Sequence, residues 1–369
     1  MEFPDDWIDP LAALAEVPRH PSISTESITS EYESSLPSVF PSPQLAQDLE
    51  GKVSRALAGY TPIRPSDDTK DVLNAFLEHL PTRGQLVLMA EIDEHAADPP
   101  KLRMLRNFLV DAILKPMKLA GGNSPMVTPS PAPQAADEIE ESMATIESSS
   151  RSEQHKMRDD CMKRDDRRCV ITGVVDRDCF KTLLPSARQG LHPGDLECAH
   201  IIPFALRKFN ENDALETRKK ATIWWALYRY FPIINPDMIQ AGTINKRENG
   251  IMLYTQIHKE FGNFRVALEP LGKDDRCRCH ILDDIGLMGP VVPPAVTFKQ
   301  HSLGQSVPMP NPNLLRVHFI VGKILSVSGI GDSIDRALSD GKSLLYDTIA
   351  PDGSTDLGRA LSLILLTDI

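Results

Sequence analysis

The sequence lacks the features that mark membrane-spanning proteins and disulfide-stabilised secreted proteins. No apolar run approaches the roughly 18 residues that a transmembrane helix needs. The acidic segment 1–6 shows no charged-then-apolar signal pattern. Six cysteines in 369 residues, mostly far apart, do not make a disulfide framework. We therefore expect an intracellular protein, cytoplasmic or nuclear, that does not bind a membrane.

The cysteines also lack the spacing of a structural zinc site. Cys277 and Cys279 have one residue between them, which is tighter than the usual zinc pattern and more typical of an alternating strand. The other four form no C-x-x-C pair, so no zinc-stabilised fold is predicted; they are Cys161, Cys169, Cys179 and Cys198.

Charge is unevenly distributed along the chain. Residues 1–150 contain 11 Lys and Arg against 24 Asp and Glu, whereas residues 199–268 contain 10 against 6, in a chain of formal net charge −11. Nucleic-acid affinity rests largely on cations that meet phosphates, so the basic segment is a candidate nucleic-acid surface. A mixed, solvated surface explains the same pattern equally well. The candidate phosphate contacts are Arg207, Lys208, Lys246, Arg247 and Lys259.

Composition and periodicity divide the chain into five segments. Residues 1–65 are rich in Pro, Ser and acids, which predicts a disordered acidic tail. Apolar residues then recur at spacings of three and four, which predicts a helical module over 66–119. Residues 120–152 combine glycines, prolines, an acidic run and serines, as a flexible linker does. The folded domain of interest then covers 153–336, and a C-terminal tail covers 337–369.

Two stretches of this domain carry most of the chemical information. The first, residues 197–204, reads ECAHIIPF. Its apolar run is short and stops at Pro203, which predicts a buried strand that presents His200 at its end. Alone, this run would be more typical of a core strand with a hydrogen-bonded histidine than of a catalytic one.

The second stretch, residues 245–262, reads NKRENGIMLYTQIHKEFG. Asn249-Gly250 predicts a hairpin-type turn, followed by a strand over the apolar run that begins at Ile251. From Thr255 the apolar spacing becomes helical, and Gly262 is a plausible C-cap. His258 is therefore predicted to lie on a short helix packed over two strands.

The order His200, Asn249, His258 resembles the HNH endonuclease superfamily, and more closely the HNH-domain proteins common in filamentous fungi. A Cys-x-x-Thr-Gly run at 169–173 strengthens the resemblance. It implies an α+β fold with a ββα-metal (HNH, His-Me finger) nuclease core and flanking helices, preceded by a small helical module and disordered segments.

The resemblance also implies roles for the three residues. His200 would be the general base, since an imidazole can accept a proton from water near neutral pH. His258 would bind a divalent metal, Mg²⁺ or Mn²⁺. Asn249 would either orient the loop that carries the base or bind the metal, so it is a candidate for both sites. The implied reaction is metal-dependent hydrolysis of phosphodiester bonds in DNA, with RNA as the second choice.

Two positions depart from the family pattern. Ala199 stands where the family usually has a metal-binding acid or histidine, and Gly262 stands where colicin-type members have a second helix ligand. Mg²⁺ keeps several waters and accepts few protein ligands, so a sparse site is compatible with metal binding. The alternative is a catalytically degenerate HNH fold that acts as a nucleic-acid- or protein-binding module.

Two further segments are predicted to build the core. Residues 222–231 contain Trp224, Trp225, Leu227 and Tyr228, whose spacing indicates a buried helix packed on the two motifs rather than a base-stacking platform. A C-terminal helix is predicted to open at residues 310–315 and to end at Ser328-Gly329, with His318 in the core or at a cap rather than as a ligand.

Overall fold

A computed structural model gives the structure of this chain, which is α+β. Residues 1–42 and 337–369 lie outside the described residues, so residues 43–65 are the described part of the expected N-terminal tail, and the expected C-terminal tail is not described. No single helix in the described part is long and apolar enough to cross a membrane, although the bent pair Pro312–Ser328 and Ile330–Arg336 passes that test together. The described residues are 43–118, 130–132, 135–143, 146, 151–203, 206, 209–272, 275–301 and 304–336.

Helices form the N-terminal part of the described chain. The expected helical module is present, since its apolar residues bury one face of each helix. The last of these helices starts at a proline, is capped by Asp98, and continues through a π-helical turn over Val110–Leu114 into a short helix at Lys115–Lys118. The helices are α1 (Pro43–Gly59), α2 (Thr69–His79), α3 (Thr82–Glu94) and α4 (Pro99–Leu109).

Two segments that were expected to lack structure are partly helical. Helix α1 lies inside the expected disordered tail 1–65, yet Val53 and Leu57 on it are buried. Helix α5 (Ala135–Met143) lies inside the expected linker 120–152, and its Ile139 is buried. Both predictions were wrong for these residues. The segments are polar on average, but each contains a few apolar residues that pack against other helices.

The central part of the chain holds two short parallel strands and one antiparallel strand pair. In the antiparallel pair, Leu196 pairs with Tyr254 and His200 pairs with Gly250. Helix α9 (Thr255–Gly262) begins directly after β4 (Gly250–Tyr254) and packs on both strands, and α6 (Arg151–Arg164) also packs on them. The elements are α6 (Arg151–Arg164), β1 (Val175–Asp176), α7 (Arg177–Thr182), β2 (Pro193–Gly194), β3 (Leu196–His200), α8 (Ala214–Tyr230), β4 (Gly250–Tyr254) and α9 (Thr255–Gly262).

The local boundaries of the second stretch differ from expectation at its two glycines. Gly250 is extended, with φ −127°, and starts β4, so the predicted hairpin-type turn is wrong. A 3₁₀ turn over Arg247–Asn249 precedes the strand instead, and residues 201–249 join the two strands. Gly262 is the last residue of α9, and Asn263 is the C-cap. The switch from strand to helix at Thr255 is as predicted.

Helix α8 is buried, as expected, but it packs chiefly on the N-terminal helices and α5 rather than on the motif strands. The Trp225 and Phe108 rings meet edge to face at 5.8 Å. A Cβ atom on Gly84 of α3 would lie 2.0 Å from the carbonyl oxygen of Tyr230, so only glycine permits this close approach of α3 to α8. The helical module and the following domain therefore share one core instead of forming separate units.

A three-stranded antiparallel sheet and a long helix complete the described chain. The strands are β5 (Val266–Pro270), β6 (Arg276–Ile281) and β7 (Ala295–Thr297), with β6 in the middle. Helix α10 (Pro312–Ser328) packs on β5 and on α2. His318 lies buried in it, stacked between the rings of Phe261 and Phe264, which confirms the expected core position.

Candidate functional site

His200 is the last residue of β3, and its ring contacts an asparagine 45 residues later in the chain. The Nε2 atom lies 2.9 Å from the side-chain oxygen of Asn245. An amide oxygen only accepts, so Nε2 carries the hydrogen and Nδ1 is the basic ring nitrogen. Asn245 is buried, with 4% of its surface exposed, whereas His200 is half-buried. The pair thus fixes one tautomer of a histidine that remains in reach of solvent.

Asn249 holds together the two backbone segments that carry this pair. Its Nδ2 donates to the carbonyl oxygens of Ile202, at 3.0 Å, and Ile244, at 2.9 Å, while its Oδ1 accepts from Ile202 N at 2.7 Å. Ile202 follows His200 by two residues, and Ile244 directly precedes Asn245. Asn249 is fully buried, and its amide oxygen already accepts a hydrogen bond. This geometry matches the first of its two expected roles, orientation of the loop, and argues against the second, metal binding.

A buried ion pair fixes the start of β4 beside this site. Arg164 is fully buried, and its guanidinium donates to the carbonyl oxygens of Gly250, at 2.6 Å, and Arg247, at 2.9 Å. Its partner Asp165 accepts from Met252 N at 2.9 Å. Because Gly250 pairs with His200, the Arg164–Asp165 ion pair helps to set the position of His200.

His258 meets a carboxylate rather than His200. Its Nδ1 atom contacts Oε2 of Glu197, with the histidine side chain 34% exposed and the glutamate 49%. Glu197 lies three residues before His200, which is about 10 Å along an extended strand. Strand alternation places Glu197 and Ala199 on the face that α9 covers. The two histidines therefore have separate partners at opposite ends of β3.

Residues 169–269 match the model of a family described as HNH endonuclease. The segment belongs to the HNH endonuclease superfamily. The match covers about a quarter of the chain and includes His200, Asn249 and His258. The family description names no source organism, so the likeness to fungal proteins remains a prediction. No curated protein and no solved structure matches the chain.

The HNH domain offers few donors for a metal ion. No group of three or more His, Cys, Asp or Glu among the described residues is arranged to hold one. Ala199 and Gly262 supply no donor side chain. What remains is the His258–Glu197 pair, in which a carboxylate on Nδ1 would orient Nε2 toward a cation. One nitrogen donor in a half-exposed place fits an ion that keeps most of its waters.

The five candidate phosphate contacts differ in availability. Arg247 donates twice to Asp160, at 3.0 and 2.9 Å. Lys246 donates from Nζ to backbone carbonyl oxygens in the 237–238 turn. Lys259 is exposed on α9 beside His258 and makes no ion pair with any residue that the structure describes. Arg207 and Lys208 lie outside the described residues. Lys259 is therefore the best-placed described cation for a phosphate near His258.

Sequence reasoning missed Asn245, Arg164 and Glu197 as parts of the site. Asn245 stands at the start of the second stretch, but nothing in its spacing from His200, 45 residues away, marks it as a partner. Glu197 opens the first stretch, but its contact with His258 depends on how α9 lies across β3 and has no signal in the sequence.

Proposed function

We propose that the chain is a metal-dependent endonuclease that hydrolyses phosphodiester bonds in DNA, with RNA as the second choice. The HNH domain indicates nucleic-acid hydrolysis of the nuclease type. The observation that carries the proposal is the His200–Asn245 hydrogen bond, because it orients a half-exposed imidazole inside the segment that matches the HNH family.

In this proposal His200 is the general base. Asn245 holds the hydrogen on Nε2, so Nδ1 accepts a proton from the water that attacks the phosphorus atom. The imidazolium that forms keeps its hydrogen bond to the Asn245 oxygen, which stabilises the new charge. Asn249 acts as a positioning residue through Ile202 and Ile244 rather than as a ligand.

Strands β3 and β4 with α9 would form the ββα-metal core. His258, oriented by Glu197, would hold Mg²⁺ or Mn²⁺ through Nε2. Such a cation supplies stabilisation of charge on the phosphoryl oxygens and on the leaving 3′ oxygen. Lys259 would contact a neighbouring phosphate of the nucleic acid.

A specific observation favours a second candidate function. Ala199 and Gly262 carry no donors, and the described residues hold no three-ligand group. A catalytically degenerate HNH fold that binds nucleic acid or protein would need no such group. The two candidates differ in metal-dependent cleavage.

The deciding experiment is nicking of supercoiled plasmid by the purified full chain with Mg²⁺, with Mn²⁺ and with a chelator, and in parallel cleavage of RNA. We expect cleavage that needs metal and that His200→Ala abolishes. His280→Ala is the matched control, because His280 is also half-buried and bonded to a side-chain oxygen, that of Glu269 at 2.8 Å, but lies outside the HNH match. If the chain binds nucleic acid but cleaves it under none of these conditions, the result would favour the binding module.

A further inference from the structure

Two cysteine sulfurs meet where α6 crosses the strand pair. A Cβ atom built on Gly250 would lie 3.0 Å from Sγ of Cys161 and 3.2 Å from Sγ of Cys198. The two sulfurs are therefore neighbours above the same glycine. Cys161 is on α6 and Cys198 is on β3, two residues before His200.

The surroundings shift the two thiols in opposite directions. The neighbouring Cys198 thiol lowers the pKa of the Cys161 thiol, although burial opposes this, and the Arg164 guanidinium also lowers it. The contact with Cys161 and burial raise the pKa of the Cys198 thiol, so Cys161 is the sulfur that ionises more easily. Cys161 is fully buried, but Cys198 is half-buried, so a small oxidant can reach the pair from that side. A thiolate is the reactive form of cysteine.

We propose that Cys161 and Cys198 form a reversible intramolecular disulfide, made by a peroxide or a small-molecule disulfide, that lowers activity at His200. With a peroxide, one sulfur attacks and becomes a sulfenic acid with release of water, and the other sulfur then displaces a second water to form the S–S bond. The two thiols lose two electrons and two protons, which the peroxide takes up. The effect on activity rests on the proposed nuclease function.

The location of the bridge explains the effect on the site. An S–S bond is about 2.05 Å long, so its formation draws α6 and β3 together above Gly250. Gly250 is the register partner of His200. A shift of about 1 Å in a catalytic group can cost about a hundredfold in rate. Cys277 and Cys279 give a contrast, because they point to the same face of β6 about 7 Å apart along one strand, so their side chains run parallel and do not face each other.

The test treats the reduced full chain with hydrogen peroxide or oxidised glutathione, blocks free thiols and maps the peptides by mass spectrometry. We expect a cross-linked pair containing Cys161 and Cys198 with the loss of two hydrogen atoms, a higher Tm, and nicking that falls about a hundredfold and returns with dithiothreitol. Cys198→Ala should keep its nicking activity under oxidation. Cys279→Ala should respond as the wild type does.

Several outcomes would overturn the proposal. Glutathione or a higher oxide on Cys198 alone would exclude the bridge, and a bridge without any change in nicking would exclude its effect on the site. If the reduced protein does not cleave nucleic acid, the proposed function and the effect on activity both fail. Peptide mapping and Tm then still decide whether the disulfide forms, because neither measurement requires cleavage.

Discussion

The ring nitrogen Nε2 of His200 and the side-chain oxygen of Asn245 are joined by a 2.9 Å hydrogen bond across 45 residues of sequence. Each partner comes from a segment that Asn249 ties to the other, through Ile202 on one side and Ile244 on the other. The geometry of the proposed base therefore depends on two buried asparagines with different tasks. One contacts the imidazole, and the other holds the backbone that carries both groups.

Substitution of Asn245 should change the pH dependence of cleavage as well as its rate. Asn245→Ala should lower kcat/KM by less than the roughly hundred- to ten-thousandfold expected for loss of the base in His200→Ala. Asn245→Asp would place a carboxylate on the Nε2 side of His200 and raise the pKa of the imidazole, because a nearby negative charge favours the charged ring. The acid limb of the kcat/KM profile should then move to higher pH.

The pH–rate profiles of wild type, Asn245→Asp and Asn245→Ala provide the measurement. A purely structural Asn245 would lower the rate in both variants without moving the acid limb. His280→Ala serves again as the control, since its profile should match that of the wild type.

Asn249 should prove to be a stability residue rather than a metal ligand. Asn249→Ala leaves the backbone groups of Ile202 and Ile244 without their side-chain partner, and each buried unsatisfied group costs about 1–3 kcal/mol. Urea unfolding of the metal-free protein should show a loss of several kcal/mol. A metal ligand would behave differently: its removal would leave the metal-free stability nearly unchanged and weaken the rise in Tm that Mn²⁺ produces.

Local chemistry made part of this site predictable. The switch from strand to helix at Thr255 follows from apolar spacing alone. His200 does end a strand, but β3 covers Leu196–His200 and the apolar pair Ile201 and Ile202 lies after it, so the proline is not what ends the strand. The Gly250 prediction failed because pairing with His200, 50 residues away, outweighs the turn preference of an Asn-Gly pair. Helices α1 and α5 were missed for a related reason: their apolar residues are buried only by helices distant in sequence.

The Glu197–His258 pair should control metal binding if the proposed core is correct. His258→Ala should abolish the increase in Tm on addition of Mn²⁺, since it removes the nitrogen donor. Glu197→Gln keeps a hydrogen-bond acceptor but loses the charge, and loss of such a partner typically weakens metal affinity by about 10- to 100-fold. Thermal unfolding across a Mn²⁺ titration measures both effects, with His280→Ala as control. An equal metal response in wild type and His258→Ala would rule out this site.

Glu91 should couple the N-terminal helices to α8. It is fully buried and accepts from Arg229 at 3.0 and 2.8 Å and from the Tyr230 hydroxyl at 2.6 Å. Glu91→Ala would remove the carboxylate bonded to a largely buried guanidinium and leave its longer 4.0 Å contact with Glu138, a change that typically costs up to about 3–5 kcal/mol. Urea unfolding should show this loss in one cooperative transition, because both parts share a core. Glu94→Ala, an exposed position on the same helix, should have little effect; a separate early transition in the wild type would contradict the shared core.

His318 should make the fold weaker in acid. Burial lowers its pKa from 6.5 to about 3, and its Nε2 donates to the carbonyl oxygen of Phe261 at 3.1 Å. Between these two values the unfolded chain binds a proton that the folded chain does not, so stability falls as pH drops below about 6.5. At pH 5 this loss of folding stability is about 2 kcal/mol.

His318→Phe keeps an aromatic ring between Phe261 and Phe264 and removes the titration. Urea unfolding at pH 7 and pH 5 should show a pH effect about 2 kcal/mol smaller in this variant than in wild type. The same substitution at the exposed His192 is the control, and an equal pH effect in wild type and His318→Phe would show that another group causes it.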